Sequence, residues 1–155
     1  MASFFGRNRS TNRVFEECLK NRKIIPFPRA KSLVRREMDS ANDDLFEAKD
    51  RLAYGRFKYA TINSYYSIFH AARALLYSRG YRERSHYCLS VALEILFVQN
   101  GLMEERFIRT FNNAMALREE ADYIGSFSEA GSVLIVKEAE EFLQAVRNAL
   151  IPYRL

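Results

Sequence analysis

Residues 31–54 read KSLVRREMDSANDDLFEAKDRLAY. Within this stretch Val34, Met38, Ala41, Leu45, Ala48 and Leu52 follow one another at steps of four, three, four, three and four. On a helix of about 3.6 residues per turn those steps draw a single apolar stripe, and the charged residues between them fall on the opposite face. A half-buried strand would need a period of two, which is absent here. Gly55 follows as a natural stop. The stretch therefore predicts a helix from about Lys31 to Tyr54.

The same period continues outward. A second helix is expected from about Arg56 to Arg79, closed by Gly80, with Ile62, Tyr65, Phe69, Ala72 and Leu76 as its apolar stripe. Beside it runs a second stripe at the same steps, made of hydrogen-bonding groups: Asn63, Tyr66, His70, Arg73 and Tyr77. Ser85 can cap a third helix over roughly 86–100, closed by Gly101. A fourth begins near Met103 and reaches Asp122. The fifth opens on a capping-box pattern, Ser126-Phe-Ser-Glu129, and runs to about Leu150. The apolar run 131–136 could pass for a strand alone, but it joins 137–146 without a break and reads as helix. A shorter helix near Asn12–Lys20 precedes a linker at Ile24–Pro28. The fold class is all-α: a four-helix bundle of long helices joined by short loops, with an additional short N-terminal helix. Residues 1–30 form a basic extension and residues 31–150 the bundle.

Composition agrees with one soluble domain. The chain has 155 residues, 48% hydrophobic and 28% charged, with six glycines and three prolines. Disorder, collagen and turn-rich β-sandwiches are thereby excluded. The longest stretch free of Asp, Glu, Lys and Arg, residues 59–72, contains Asn63, Ser64, Ser67 and His70, so no membrane partner is expected. No apolar run follows the first arginines, as a secretory signal would require, and a cytoplasmic location is expected. Two cysteines, Cys18 and Cys88, cannot build a disulfide framework, and with only two histidines they offer too few soft ligands for zinc. No metal or other cofactor is expected.

The net charge of +5 is unevenly spread. Residues 1–36 carry ten Lys/Arg, Arg7 among them, against Glu16 and Glu17, a surplus of +8; the remainder, with 14 basic and 17 acidic groups, stands at −3. Such a front end either meets phosphate backbones or an acidic partner, or is a solvated tail.

Chemistry concentrates in two places. No glycine-rich phosphate loop exists. His86 and Cys88 are two apart, a spacing that does not favour a thiolate–imidazole pair on a helix. On the fourth helix the apolar steps Phe107, Phe111 and Ala114 lead to Arg118, where an apolar residue belongs. Asp122, four residues on, can pair with it. Arg118 is then either a helix-end ion pair that reaches solvent or a guanidinium held in a groove to meet a phosphate, whose two oxygens its planar fork can bind. The polar stripe of the second helix offers Arg73, Tyr66 and Asn63 as further phosphate or nucleotide contacts.

The run Ser64-Tyr-Tyr-Ser-Ile-Phe-His-Ala-Ala-Arg-Ala-Leu-Leu-Tyr77, followed by Gly80-Tyr81 and Ser85-His86, resembles the HEPN family. So do Leu117-Arg-Glu-Glu-Ala-Asp-Tyr123 and 139–142, in the small stand-alone prokaryotic branch of that family. The resemblance spans roughly residues 31–150. It implies an up-and-down helical bundle, a homodimer, and pairing with a small nucleotidyltransferase in toxin–antitoxin-type modules. It also implies RNA or a nucleotide as ligand, since many members are metal-independent RNases. Their motif is an Arg, four to six residues, then a His near the end of a late helix. Arg118 matches the arginine, but Tyr123 stands where the histidine belongs, preceded by Asp122. Arg79 and His86 satisfy the spacing only across the Gly80 loop. Proton transfer would fall to Tyr123, Asp122 or a distant His70, and a phenol with an ordinary pKa near ~10 is a poor base at neutral pH. The sequence thus favours the binding subunit of a toxin–antitoxin-like or nucleotidyltransferase-linked module. The alternatives are a divergent endoribonuclease and a plain nucleic-acid-binding module led by the basic front.

Overall fold

The computed structural model describes the backbone of residues 2–151 and the side chains from residue 9 to residue 151; the Arg7 side chain lies outside that range. The elements run α1 (Ala2–Lys20), β1 (Ile24–Pro26), α2 (Val34–Ala53), α3 (Phe57–Ser78), β2 (Tyr81–Glu83), α4 (His86–Leu93), α5 (Arg106–Glu119) and α6 (Glu129–Ala149). A 3-10 turn, Ala30–Leu33, leads into α2, and π-helical turns extend α4 (Glu94–Val98) and α5 (Glu120–Ile124). The fold is all-α, apart from one short ribbon.

The helix read from residues 31–54 is α2. Its stripe residues Val34, Met38, Ala41, Leu45 and Ala48 are all buried. They face α3, the central helix, where 14 of 22 residues are buried. Helices covered on nearly every side lose their polar face, and α3 fills the positions with small groups. Ser64 and Ser67 are buried because each hydroxyl donates to a carbonyl, Ser64 to Ala60 within the helix and Ser67 across to Ala41 of α2 at 2.8 Å. Phe111 of α5 is buried in the core, and Phe107 of α5 meets Phe142 of α6 there, the two rings edge to face with centroids 5.9 Å apart. The apolar run 131–136 lies inside α6, as helix. The cap of α6 is Ser128, whose side chain accepts from the Gly131 amide, two residues later than the Ser126 box predicts. Ser85 caps α4 as expected, accepting from the Cys88 amide.

The front of the chain is packed onto the bundle. The short helix expected at 12–20 is 19 residues long, with Cys18 buried and Val14, Phe15 and Leu19 against the core. The expected linker is strand β1, paired antiparallel with β2 so that Ile24 faces Glu83, Ile25 faces Arg82 and Pro26 faces Tyr81. Gly80, at φ +81°, makes the turn from α3 into β2, a conformation that side-chain-bearing residues rarely adopt. Cys18 of α1 and Cys88 of α4 form a disulfide, 70 residues apart in sequence. Two cysteines remain too few for a disulfide framework, yet the sequence expectation did not extend to this one bond. A single cross-link needs only two, and the docking of α1 brings their Cα atoms to 5.9 Å. Among the described residues no helix is long and apolar enough to cross a membrane.

Candidate functional site

Arg118 lies in the last α-helical turn of α5, and the chain then widens into the π-helical turn Glu120–Ile124. A π-turn carries more residues per revolution than an α-turn, so positions four and five beyond Arg118 both swing back toward it. Asp122 comes within 3.3 Å of Nε and the Tyr123 ring centroid within 5.6 Å of the guanidinium carbon. Gly125, at φ +73°, ends the turn, and the Ser126 amide donates to the Glu120 carbonyl.

From α3, Tyr65 and Tyr66 complete the enclosure, with ring centroids 5.5 and 5.7 Å from the same carbon. Three ring faces around one guanidinium supply cation–π attraction that favours the charged form. Nη2 also donates to the Tyr66 hydroxyl at 3.2 Å. Burial works against Arg118's charge, but Tyr66, Tyr123 and Asp122 outweigh it and hold the group above its ordinary basicity. Nε–H is buried, and no acceptor is aligned on it, Asp122 included. The side chain is 20% exposed, and Tyr123 beside it is 75% exposed. The result is a fixed, fully ionised guanidinium at the rim of the bundle, flanked by an open aromatic face.

An imidazole stands close by, from α4 and not from the late helix that carries Arg118. The Tyr65 hydroxyl lies 2.6 Å from Nδ1 of His86, on the first turn of α4. Burial pushes the Tyr65 phenol up to about 12, so it keeps its proton and is the donor. Nδ1 then accepts, and the remaining ring proton sits on Nε2. Burial beside Phe69, 4.7 Å away between centroids, lowers the pKa of His86; Glu83 opposes this, and Arg118 and Arg73 reinforce it. His86 is therefore neutral at pH 7 and remains open to solvent.

The other predicted residues are sorted into two neighbouring clusters. His70 Nδ1 is 2.7 Å from Glu37 and Nε2 is 3.7 Å from Asp44, both on α2; Asn63 donates to Asp44 at 3.4 Å. Burial raises the Asp44 carboxyl, against the pull of His70 and Asn63. His70 and Asn63 thus serve the α2–α3 seam. Arg73 donates through Nε and Nη2 to one oxygen of Glu83, whose side chain is 3% exposed, and lies over the Phe69 ring at 4.5 Å. The fold brings Arg118, Tyr66, Asp122 and Tyr123 together and sets Asn63, His70 and Arg73 apart from them. Tyr65, Glu83 and His86 were missed as site residues. The signals for His86 were its place after the Ser85 cap, its part in the family resemblance, and a spacing from Arg79 that runs across the Gly80 loop.

The family model described as HEPN domain matches residues 34–150. This chain belongs to the HEPN family. A Methanocaldococcus jannaschii protein named "Putative toxin" is 30% identical over 114 residues, covering 73% of this chain and 85% of that relative. An Archaeoglobus fulgidus "UPF0332 protein" is 30% identical over 107 residues, covering 67% and 84%. The HEPN match begins at the first residue of α2, so α1, β1 and the Cys18 arm of the disulfide lie outside it. Within the matched region the π-turn aims the Tyr123 ring at Arg118.

Proposed function

We propose that this HEPN protein is the RNA-recognising subunit of a toxin–antitoxin-type module, with Arg118 as the phosphate contact. One observation carries the reading: Arg118 is held ionised among Tyr65, Tyr66 and Tyr123 beside an exposed ring. A fixed guanidinium takes a phosphate with little loss of side-chain freedom, and an open phenol offers a face on which a base can stack. The name of the M. jannaschii relative supports a toxin-type setting. A small nucleotidyltransferase is the partner that the family resemblance implies, and the cytoplasm is where such a module meets RNA. In that compartment the disulfide must resist the thiol pool, and both of its cysteines are buried.

The protein acts as a homodimer. Ile124, Phe127, Val133 and Leu134 are all exposed around the π-turn and the start of α6, an apolar surface suited to a two-fold contact. Light scattering should then report twice the 18.1 kDa chain mass, and a monomer at micromolar concentration would refute the pairing.

A second reading, endoribonuclease, is favoured by the neutral His86 beside Tyr65. An end-labelled single-stranded RNA incubated with the protein in EDTA separates the two. Binding without cleavage is expected. Cleavage that disappears in both His86→Ala and Arg118→Ala would establish the nuclease instead.

A further inference from the structure

The basic front of the chain does not act alone, because the β ribbon sets it against a second run of cations. The antiparallel register continues past Ile24 and Glu83 to place Lys23 opposite Arg84, whose amide donates to the Lys23 carbonyl at 2.8 Å. Strand alternation then puts Lys23, Ile25, Arg82 and Arg84 on one face and Ile24 with Glu83 on the other. Ile24 and Glu83 are buried, so the first face is the outer one. The only carboxylate of the ribbon points inward, where Arg73 pairs with it. Lys23, Arg82 and Arg84 are exposed, as is Arg22 just before the strand; among the described residues none of the four forms an ion pair. Like charges directly opposite on neighbouring strands are destabilising, so this face costs the fold stability. Arg22 is also the one non-glycine among the described residues at positive φ, +55°. Strain and repulsion kept together on one surface point to a ligand that relieves them.

We infer that the outer face of the β1–β2 ribbon binds the phosphate backbone of single-stranded RNA. The chemistry favours a polyanion over other acidic partners. No large apolar residue is exposed on the ribbon, whereas a protein interface needs apolar anchors and a membrane surface needs a wedge. Residues two apart on a strand are about 6.7 Å apart, of the order of the step between successive phosphates. The ribbon also leads somewhere. Arg84 is followed by Ser85 and His86, and His86 bonds the Tyr65 against which Arg118 lies. A strand running from Arg82 to Arg84 and Lys23 is thereby led toward His86 and the Arg118 rim, where the rings of Tyr87 and Tyr123 are exposed. Bases can stack there in any sequence. The inference stands on the ribbon's own charge and survives if Arg118 plays no part.

The test is fluorescence anisotropy of a labelled oligouridine between 50 and 200 mM salt, for the full chain and for Lys23→Ala/Arg82→Ala/Arg84→Ala. With about 0.7 counterions released per phosphate on a single strand, losing three contacts should flatten the log–log salt slope by about 2. The triple variant should melt close to the parent, because the like-charge repulsion it removes offsets the lost contact of the Arg82 guanidinium with the Phe27 ring, 5.6 Å away. A salt slope unchanged in the triple variant would overturn the proposal. So would RNA binding absent from the parent while vesicles containing phosphatidylserine, or an acidic polypeptide such as polyglutamate, bind in a way the triple substitution abolishes. Arg118→Ala run in parallel keeps the two sites apart: a ribbon-dependent slope that persists in that variant supports the ribbon, while an affinity unchanged by that substitution counts against the Arg118 site alone.

Discussion

Reducing the Cys18–Cys88 disulfide should cost this protein a large part of its stability. The cross-link closes a loop of 70 residues. Loop-closure entropy of about 2.1 + 1.5R ln n cal/mol/K gives roughly 15 cal/mol/K for such a loop, or about 4 kcal/mol at 25 °C. Unfolding entropy of about 2.1 cal/mol/K per residue makes the whole-chain value about 0.33 kcal/mol/K, so the midpoint should fall on the order of 13 °C. Strong docking of α1 without the bond does not erase this loss, because the restraint acts mainly on the unfolded chain. Differential scanning calorimetry with and without a strong dithiol reductant measures it, alongside a Cys18→Ala/Cys88→Ala variant that fixes the open state. Two free thiols titrated in the unreduced protein, or midpoints within about 2 °C of each other, would refute the reasoning.

Other consequences follow from the core and from the site. Phe142→Ala empties a fully buried position that meets Phe107 and should destabilise by about 3–5 kcal/mol in urea titration; a loss under 1 kcal/mol would mean the core is not packed this way. His86 should titrate below the ordinary histidine value near ~6.5 when its ring proton is followed by NMR. The sign for stability follows: the unfolded chain takes up that proton more readily, so this contribution is lost as pH falls below the unfolded value, toward the lowered folded one. A midpoint above 6.5 would contradict the neutral imidazole placed beside Arg118.

Local pattern carried most of the architecture. The stripe from Val34 to Ala48 is buried residue for residue because helical periodicity and burial on one face are the same fact. Features made by long-range pairing were not legible. Residues 24–26 and 81–83 are each too short to announce a strand, the first ending in a proline and the second carrying two charges, and they pair only because α3 returns the chain beside its own beginning. Cys18 and Cys88 meet for the same reason. Arg118 and Asp122 were readable from an α-helical step of four. That Tyr123 also faces Arg118 depends on the π-turn, whose only trace in the sequence is Gly125. His86 reaches the site through a hydrogen bond to Tyr65, a residue whose place in the apolar stripe marked it as core.

The account rests on Arg118 as the phosphate contact, and the dissociation constant of Arg118→Ala for a short single-stranded RNA tests it directly. A charge-assisted contact contributes about 1.5–3 kcal/mol, so affinity should fall roughly 10- to 100-fold with the melting temperature little changed. Arg118→Lys should recover only part of the loss, since an ammonium lacks the planar fork. An alanine variant that binds the same RNA as tightly as the parent, at the same salt, would contradict the central claim.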